Sequence, residues 1–307
     1  MSLLVVGSVA FDAIETPFGK VDKIIGGAAT YISLAASYFH KPINLVSVVG
    51  GDFPEKDIDV LKAHGVNVEG LEIKKDEKSF FWSGKYHNDL NTRDTLITEL
   101  NVLGTFEPKI PASYQGCEFL MLGNLSPGIQ REVINLMEKR PKIIVMDTMN
   151  FWMNIALDDL LKTISMVDVL TINDEEARQL SGEYSLVKAA RKILALGPKY
   201  LVIKKGEHGA LLFHKNEVFF APALPLEEVF DPTGAGDSFA GGFIGYLAKT
   251  GDVSFESMKN AVIVGSTMAS FCVEKFGPSR LIDLDKNEIE KRSRIFTEIT
   301  KFDLVLK

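Results

Sequence analysis

Cysteine is nearly absent: Cys117 and Cys272 stand far apart in a chain of 307 residues. That excludes a disulfide framework and any Cys pair at metal-ligand spacing. The five histidines, His40, His64, His87, His208 and His214, form no spaced ligand set either. Positive charge is in deficit, with 34 Lys and Arg against 41 Asp and Glu, so no basic footprint for nucleic acid or an anionic membrane exists. Long apolar runs are missing too. None reaches the roughly 18 residues a membrane span needs, and the N-terminal "MSLLVVGSVAFD" has no basic leader and breaks at Gly7. It reads as a first buried strand. These absences predict a cytoplasmic protein whose partners are small molecules, with neither nucleic acid nor membrane among them.

What is present is a core: 46% of the residues are hydrophobic. Short apolar runs recur at 3–7, 43–50, 117–123, 142–147, 167–173, 200–206 and 209–213. Each is rich in Val, Ile or Leu and most are bounded by Gly, Asp or Asn, as strands buried on both faces are. Helix-period segments at 128–140 and 185–196 alternate with them. The pattern predicts an α/β fold of three layers, a doubly wound and mostly parallel sheet between helices. Two stretches break the rhythm. Residues 66–99 alternate with period two, and 11–25 make a shorter excursion, so both are expected to form a small β-sheet lid, the longer as an antiparallel flap. One domain spanning 1–307 with this lid is the expected organisation.

The densest stretch is "EVFDPTGAGDSFAGGF", residues 228–243. Gly241, Gly242 and Gly245 inside a helix forfeit roughly 2 to 3 kcal/mol of propensity together, so something must offset them. Two readings are open. Small residues at a helix N-terminus let an anion approach unpaired N–H groups, or Thr233 is an ordinary cap and the glycines serve packing. The chain has no G-x-x-x-x-G-K-[ST], and Phe239 stands where a dinucleotide fingerprint needs its third glycine. A P-loop NTPase and an NAD-dependent dehydrogenase are thereby disfavoured.

"DPTGAGDSFAGGF" resembles the second signature of the ribokinase-like (PfkB) family of carbohydrate and nucleoside kinases. "GGAATYISLAASYFHKPINLVSVVGGD" at 26–52 is similar to the first signature, and "TINDEEA" at 171–177 and "IKKGEHGALL" at 203–212 follow in family order. The resemblance covers nearly the whole chain. It implies a ribokinase-like fold using ATP and Mg2+, with a monovalent cation as a further candidate. Asp237 would be the base, with Gly234, Ala235 and Gly236 as the anion hole and Thr233 beside them. Asn173 and Glu176 match N-x-x-E, which organises magnesium through water, although the same pair also has capping-box spacing. Lys204, Gly206 and Glu207 would border the nucleotide.

For the substrate, the resemblance implies Asp12, Gly26, Gly27 and Asn124. Tyr31 stands where the family's signature carries asparagine, which leaves the substrate open. Phe80, Phe81 and Trp82 have three readings: stacking on a base, lid core, or the contact of a homodimer formed through the lid. The implied activity is phosphorylation of a primary hydroxymethyl group on a sugar or ribonucleoside. A purine nucleoside kinase is the narrower alternative, and a non-catalytic sugar or nucleoside sensor is the alternative from a different class. Two physical expectations accompany it: the helix N-terminus keeps Asp237 ionised with a low pKa, and Gly236→Val lowers kcat sharply while Gly234→Ala lowers it less.

Overall fold

Branched and leucine-rich runs too short for helices become strands, and the amphipathic segments between them wind into helices. In the computed structural model, which describes residues 1–301 and 303, the strands are β1 Leu3–Val6, β2 Ala10–Thr16, β3 Gly19–Gly26, β4 Ile43–Gly50, β5 Val66–Lys74, β6 Phe81–Tyr86, β7 Arg93–Glu99, β8 Phe119–Leu122, β9 Ile143–Asp147, β10 Val169–Asn173, β11 Tyr200–Lys204, β12 Ala210–His214 and β13 Glu217–Ala221. The α-helices are α1 Ala28–Ala36, α2 Glu55–Ala63, α3 Pro127–Leu136, α4 Asn150–Ile155, α5 Leu157–Ile164, α6 Asp174–Ser181, α7 Leu186–Leu194, α8 Ala235–Thr250, α9 Phe255–Cys272, α10 Ser279–Ile282 and α11 Lys286–Thr300.

Nine strands form one sheet in the order β13-β12-β11-β10-β9-β8-β1-β4-β5, parallel from β5 through β11 and antiparallel beyond. Side chains alternate between its faces. Leu3 and Val5 pack with Phe239, Phe243 and Phe271 on one side, while Leu4 and Val6 pack with Val133, Leu160 and Ile193 on the other. One helical layer thus holds α1, α2, α8, α9 and α11, and the opposite layer holds α3 to α7. This is the three-layer architecture expected.

The second sheet has the order β3-β2-β6-β7, with β2–β6 parallel and its other pairs antiparallel. The flap expected over 66–99 therefore begins late. β5 pairs in parallel with β4 and closes the edge of the large sheet, because α2 carries the chain over between them. Its period-two alternation is that of a half-covered edge strand.

The glycines of α8 answer the propensity question. A Cβ on Gly241 would clash with the Ile32 carbonyl, and one on Gly245 would lie 2.8 Å from Ala36 Cα. On the other side, a Cβ on Gly242 would sit 2.8 Å from Met268 Cγ and 3.0 Å from the Val264 carbonyl. These three are packing glycines, seating α8 between α1 and α9. Gly234 and Gly236 belong to the turn ahead.

Candidate active site

That turn is set by a buried carboxylate. Asp231 accepts the N–H groups of Thr233 and Gly277, both at 2.8 Å, and so fixes the entry to α8. Gly234 caps the helix at φ 76, and Tyr31's ring lies against it where a Cβ would project. Both conditions demand glycine. At Gly236 a Cβ would meet only Lys204 Nζ, at 3.1 Å. A lysine tip can move and a buried ring cannot, so the fold tolerates a side chain at Gly236 better than at Gly234. Ala235 turns its N–H onto the Pro232 carbonyl at 3.1 Å. In the first turn, Gly236 and Asp237 carry N–H groups that an α-helix leaves without internal acceptors.

Strand register brings the charges to this turn. Thr171 lies opposite Asp147 and Asn173 opposite Lys204, so β9, β10 and β11 end side by side. Lys204 Nζ donates to Asp147 Oδ2 at 2.7 Å. Glu176 accepts the Asn173 N–H and Asn173 accepts the Glu176 N–H, each at 2.8 Å, so the capping box is real. It also holds the Glu176 carboxylate within the charged group. Burial pushes Glu176 up to about 7, with Lys204 opposing and Asp147 adding to the shift. Burial works against the charge of Lys204, but Asp147 and Glu176 outweigh it and its pKa rises.

Asp237 departs from expectation. Burial, then the charge of Asp147, pushes it up to about 7 against the pull of Lys204 and Arg93. Desolvation outweighs the helix dipole, whose effect at a first turn is on the order of 0.3 to 1 kcal/mol.

At the end where the resemblance puts the substrate, Asp12 is buried on β2 and receives the Gly27 N–H; a Cβ on Gly26 would overlap its carboxylate. Burial raises Asp12 to about 7, with the Gly27 bond opposing and the charges of Asp231 and Asp237 adding. Tyr31 is 1% exposed, and its hydroxyl has no partner among the described residues. Burial raises that phenol, and Asp12 is the first of the charges it feels. Asp12, Gly26, Gly27, Tyr31, Gly234 and Asp237 thus form one continuous wall.

Two expected residues stand outside it. Asn124 accepts from Trp152 Nε1 at 2.9 Å and rests its amide on Met149 Sδ at 3.0 Å, so its polar atoms are engaged within the protein. Glu207 is exposed and lies 3.8 Å from His208. Its neighbour Gly206 lies under the small sheet, with Asn91 Oδ1 2.8 Å from where its Cβ would be.

Asn91 belongs to the small sheet's hairpin, which covers the site. Thr233 Oγ1 donates to Tyr86 OH at 3.2 Å, and Arg93 lies opposite Tyr86 in the β6–β7 ladder. Phe81 packs into the main core, while Trp82 lies against Gly84 and donates to Thr95 at 3.4 Å. Sequence reasoning missed Asp147, Tyr86 and Arg93. Asp147 had a signal, a carboxylate closing a central parallel strand; the other two had none.

A carboxylate near neutrality, helix-terminal N–H groups and a partly buried ammonium suit transfer of a phosphoryl group to an alcohol. The family model for pfkB family carbohydrate kinases matches residues 2–284, and the chain belongs to that family. It is therefore an ATP-dependent kinase of a sugar or nucleoside hydroxyl. The chain is 31% identical to the cytidine kinase of Thermococcus kodakarensis over 80% of its length and 87% of that relative. It is 25% identical to a nucleoside kinase of Methanothermobacter thermautotrophicus over 94% of both, and 24% identical to the inositol 3-kinase of Arabidopsis thaliana over 95% of this chain and 80% of that one. Among solved structures, the nucleoside kinase of Methanocaldococcus jannaschii has a TM-score of 0.77 at 20% identity, covering 96% of this chain and 99% of that one. The Burkholderia thailandensis nucleoside kinase, solved with inosine, reaches 0.76 at 20% identity, covering 97% and 99%. Aminoimidazole riboside kinase of Salmonella enterica, solved with its riboside and an ATP analogue, reaches 0.74 at 18% identity, covering 95% and 100%.

Proposed function

We propose that the acceptor is a ribonucleoside, phosphorylated on its primary hydroxymethyl group, with cytidine the first to try. The kinship to a cytidine kinase at 31% identity across most of both chains carries this reading, and it favours a pyrimidine over the purine alternative. The pocket chemistry supports it. Ionised Asp12 accepts hydrogen bonds from two neighbouring ribose hydroxyls at once, and the unpartnered Tyr31 hydroxyl offers one more polar contact.

Asp237 takes the proton of the primary hydroxyl. As it does so, the bond from that oxygen to the γ-phosphorus forms and the bond to the β–γ bridging oxygen breaks, releasing ADP. Lys204 and the Gly236 and Asp237 N–H groups stabilise the transferring group. The donor set fits magnesium: Glu176 and Asp147 are buried carboxylates beside one lysine, and a dication relieves their repulsion. No group of three or more His, Cys, Asp or Glu able to hold a metal exists among the described residues, so the ion would be carried on the phosphates, reached by Glu176 through water. Bound there, magnesium neutralises phosphate charge. Both cysteines are buried and unpaired, in keeping with a reducing cytoplasm. The described helices include none long and apolar enough to cross a membrane. β7 is exposed along its length, Leu96 and Ile97 included, which supports the small sheet as the surface through which a second copy would pair.

An ADP-release screen decides the acceptor. It compares cytidine, uridine, adenosine, inosine, ribose, fructose, 2-keto-3-deoxygluconate and myo-inositol with a blank, in potassium and in choline chloride. A ribonucleoside is expected to lead by at least tenfold in kcat/KM. Ribose or inositol in the lead would overturn the reading, and a uniform blank rate would favour the sensor.

A further inference from the structure

Among the described residues, the floor of the cleft holds three carboxylates, Asp147, Glu176 and Asp237, and one lysine, Lys204, already paired with Asp147. A triphosphate cannot settle on that surface without more positive charge. Magnesium supplies part of it, and the cover carries another source. On β7, Arg93 stands opposite Tyr86, whose hydroxyl is 3.2 Å from Thr233 Oγ1 in the catalytic turn. That contact fixes which face of the small sheet looks down on the site. Arg93 shares this face, its guanidinium 5.8 Å from the centre of the Trp82 ring, and it forms no ion pair with a described residue. Lys85, the other cation of this hairpin, instead pairs with Glu15 at 2.6 Å. The hairpin tip is seated as well, Asn91 lying against Gly206 in the loop after β11.

We propose that Arg93 is a catalytic residue: its guanidinium reaches over the turn from Thr233 to Asp237 and binds the terminal phosphate of the nucleoside triphosphate through transfer. The guanidinium fork matches two phosphate oxygens at once and stays charged as electron density shifts toward the leaving oxygen. Its charge is already felt at Asp237 and Glu176, where it favours the ionised forms. The hairpin thereby couples covering the site to completing it. Tyr86 positions the cover on Thr233, and Arg93 enters only when that contact is made.

The inference rests on the kinase reading and not on the choice of acceptor. Isothermal titration with AMP-PNP and with ADP, both with magnesium, tests it without any acceptor, so a wrong acceptor would show only as a silent screen. Arg93→Gln should weaken AMP-PNP at least tenfold and ADP less than twofold. With the best acceptor, its kcat should fall about 10² to 10³-fold while the acceptor KM moves less than threefold, a partial form of the loss seen when an arginine finger is removed. Arg93→Lys should recover part of the rate. Lys85→Gln, the same charge lost from the opposite side, should change neither. Equal weakening of both nucleotides, an unchanged kcat, or an equal loss in Lys85→Gln would overturn the proposal.

Discussion

The floor of the cleft is made of strand ends under helices, where Asp147, Glu176 and Asp231 are all less than a tenth exposed. The cover is a four-strand sheet whose last strand is exposed throughout and whose polar side-chain contacts, the ion pairs Lys20–Asp22 at 2.8 Å and Lys85–Glu15 at 2.6 Å and the hydrogen bond His87–Asp94 at 3.0 Å, reach solvent. Buried carboxylates held close raise one another's proton affinity, and ionising them all weakens the fold that holds them. Exposed pairs are screened and add little to stability. The floor therefore stores electrostatic tension where chemistry occurs. Freedom to open and close belongs to the outer β7 side, which buries no side chain, and not to β2, whose Phe11 and Ile14 are buried.

The sharpest test of that contrast is Asp237→Asn, which should lower kcat by about 10² to 10⁴. Removing a base from a strained floor should also stabilise the protein. With its pKa raised to about 7, native Asp237 binds its proton more tightly than the unfolded chain does. Stability from this group is complete below pH ~4 and is lost as pH rises through about 7. The variant should accordingly melt higher than wild type at pH 8 and converge with it in acid. In the parent, kcat/KM should climb with pH through about 7 as the base ionises. A lower melting point for the variant at pH 8 would break the contrast.

Gly234→Ala comes next, at about 2 to 4 kcal/mol of lost stability in urea melts, from positive φ and Tyr31's ring together. Gly236→Ala should fold almost normally yet turn over slowly, because its methyl meets Lys204 Nζ. Tyr31→Phe has opposite signs in two assays. Removing a buried hydroxyl without a partner should add about 1 kcal/mol of stability, while kcat/KM falls by about 0.5 to 1.5 kcal/mol. Loss in both would mean that the hydroxyl is structural. Smallest is Glu15→Gln in the cover, which should leave the melting point unmoved. A drop of several degrees would show that the cover is no loose element.

The floor was readable in the chain because its parts are local. Apolar runs marked every buried parallel strand, and the 233–237 turn with the Asn173–Glu176 pair lies in contiguous motifs. β5 was misassigned because an edge strand with one open side alternates as a flap does. Asp237's proton affinity was misjudged because the helix start is visible in sequence, whereas the burial and Asp147 that oppose it come from distant segments. Arg93 and Tyr86 meet only through ladder register, displaced by an irregularity beside Ser83 and Gly84. Nothing in a polar exposed strand announces that.

The seating of α8 between α1 and α9 makes the turn before it the end of a lever. Gly242 lies six residues beyond Gly236, about 9 Å along the axis, and its fulcrum is the facing backbone of α9. A Cβ on Gly265 would come within 2.8 Å of the Phe239 carbonyl. A single methyl there would tilt the rod and displace the far tip, altering alignment without touching a reactant. A random library selected for slow turnover with intact substrate affinity would then yield hits along this seam, at Gly265, Met268 and Ala36, as well as in the cleft.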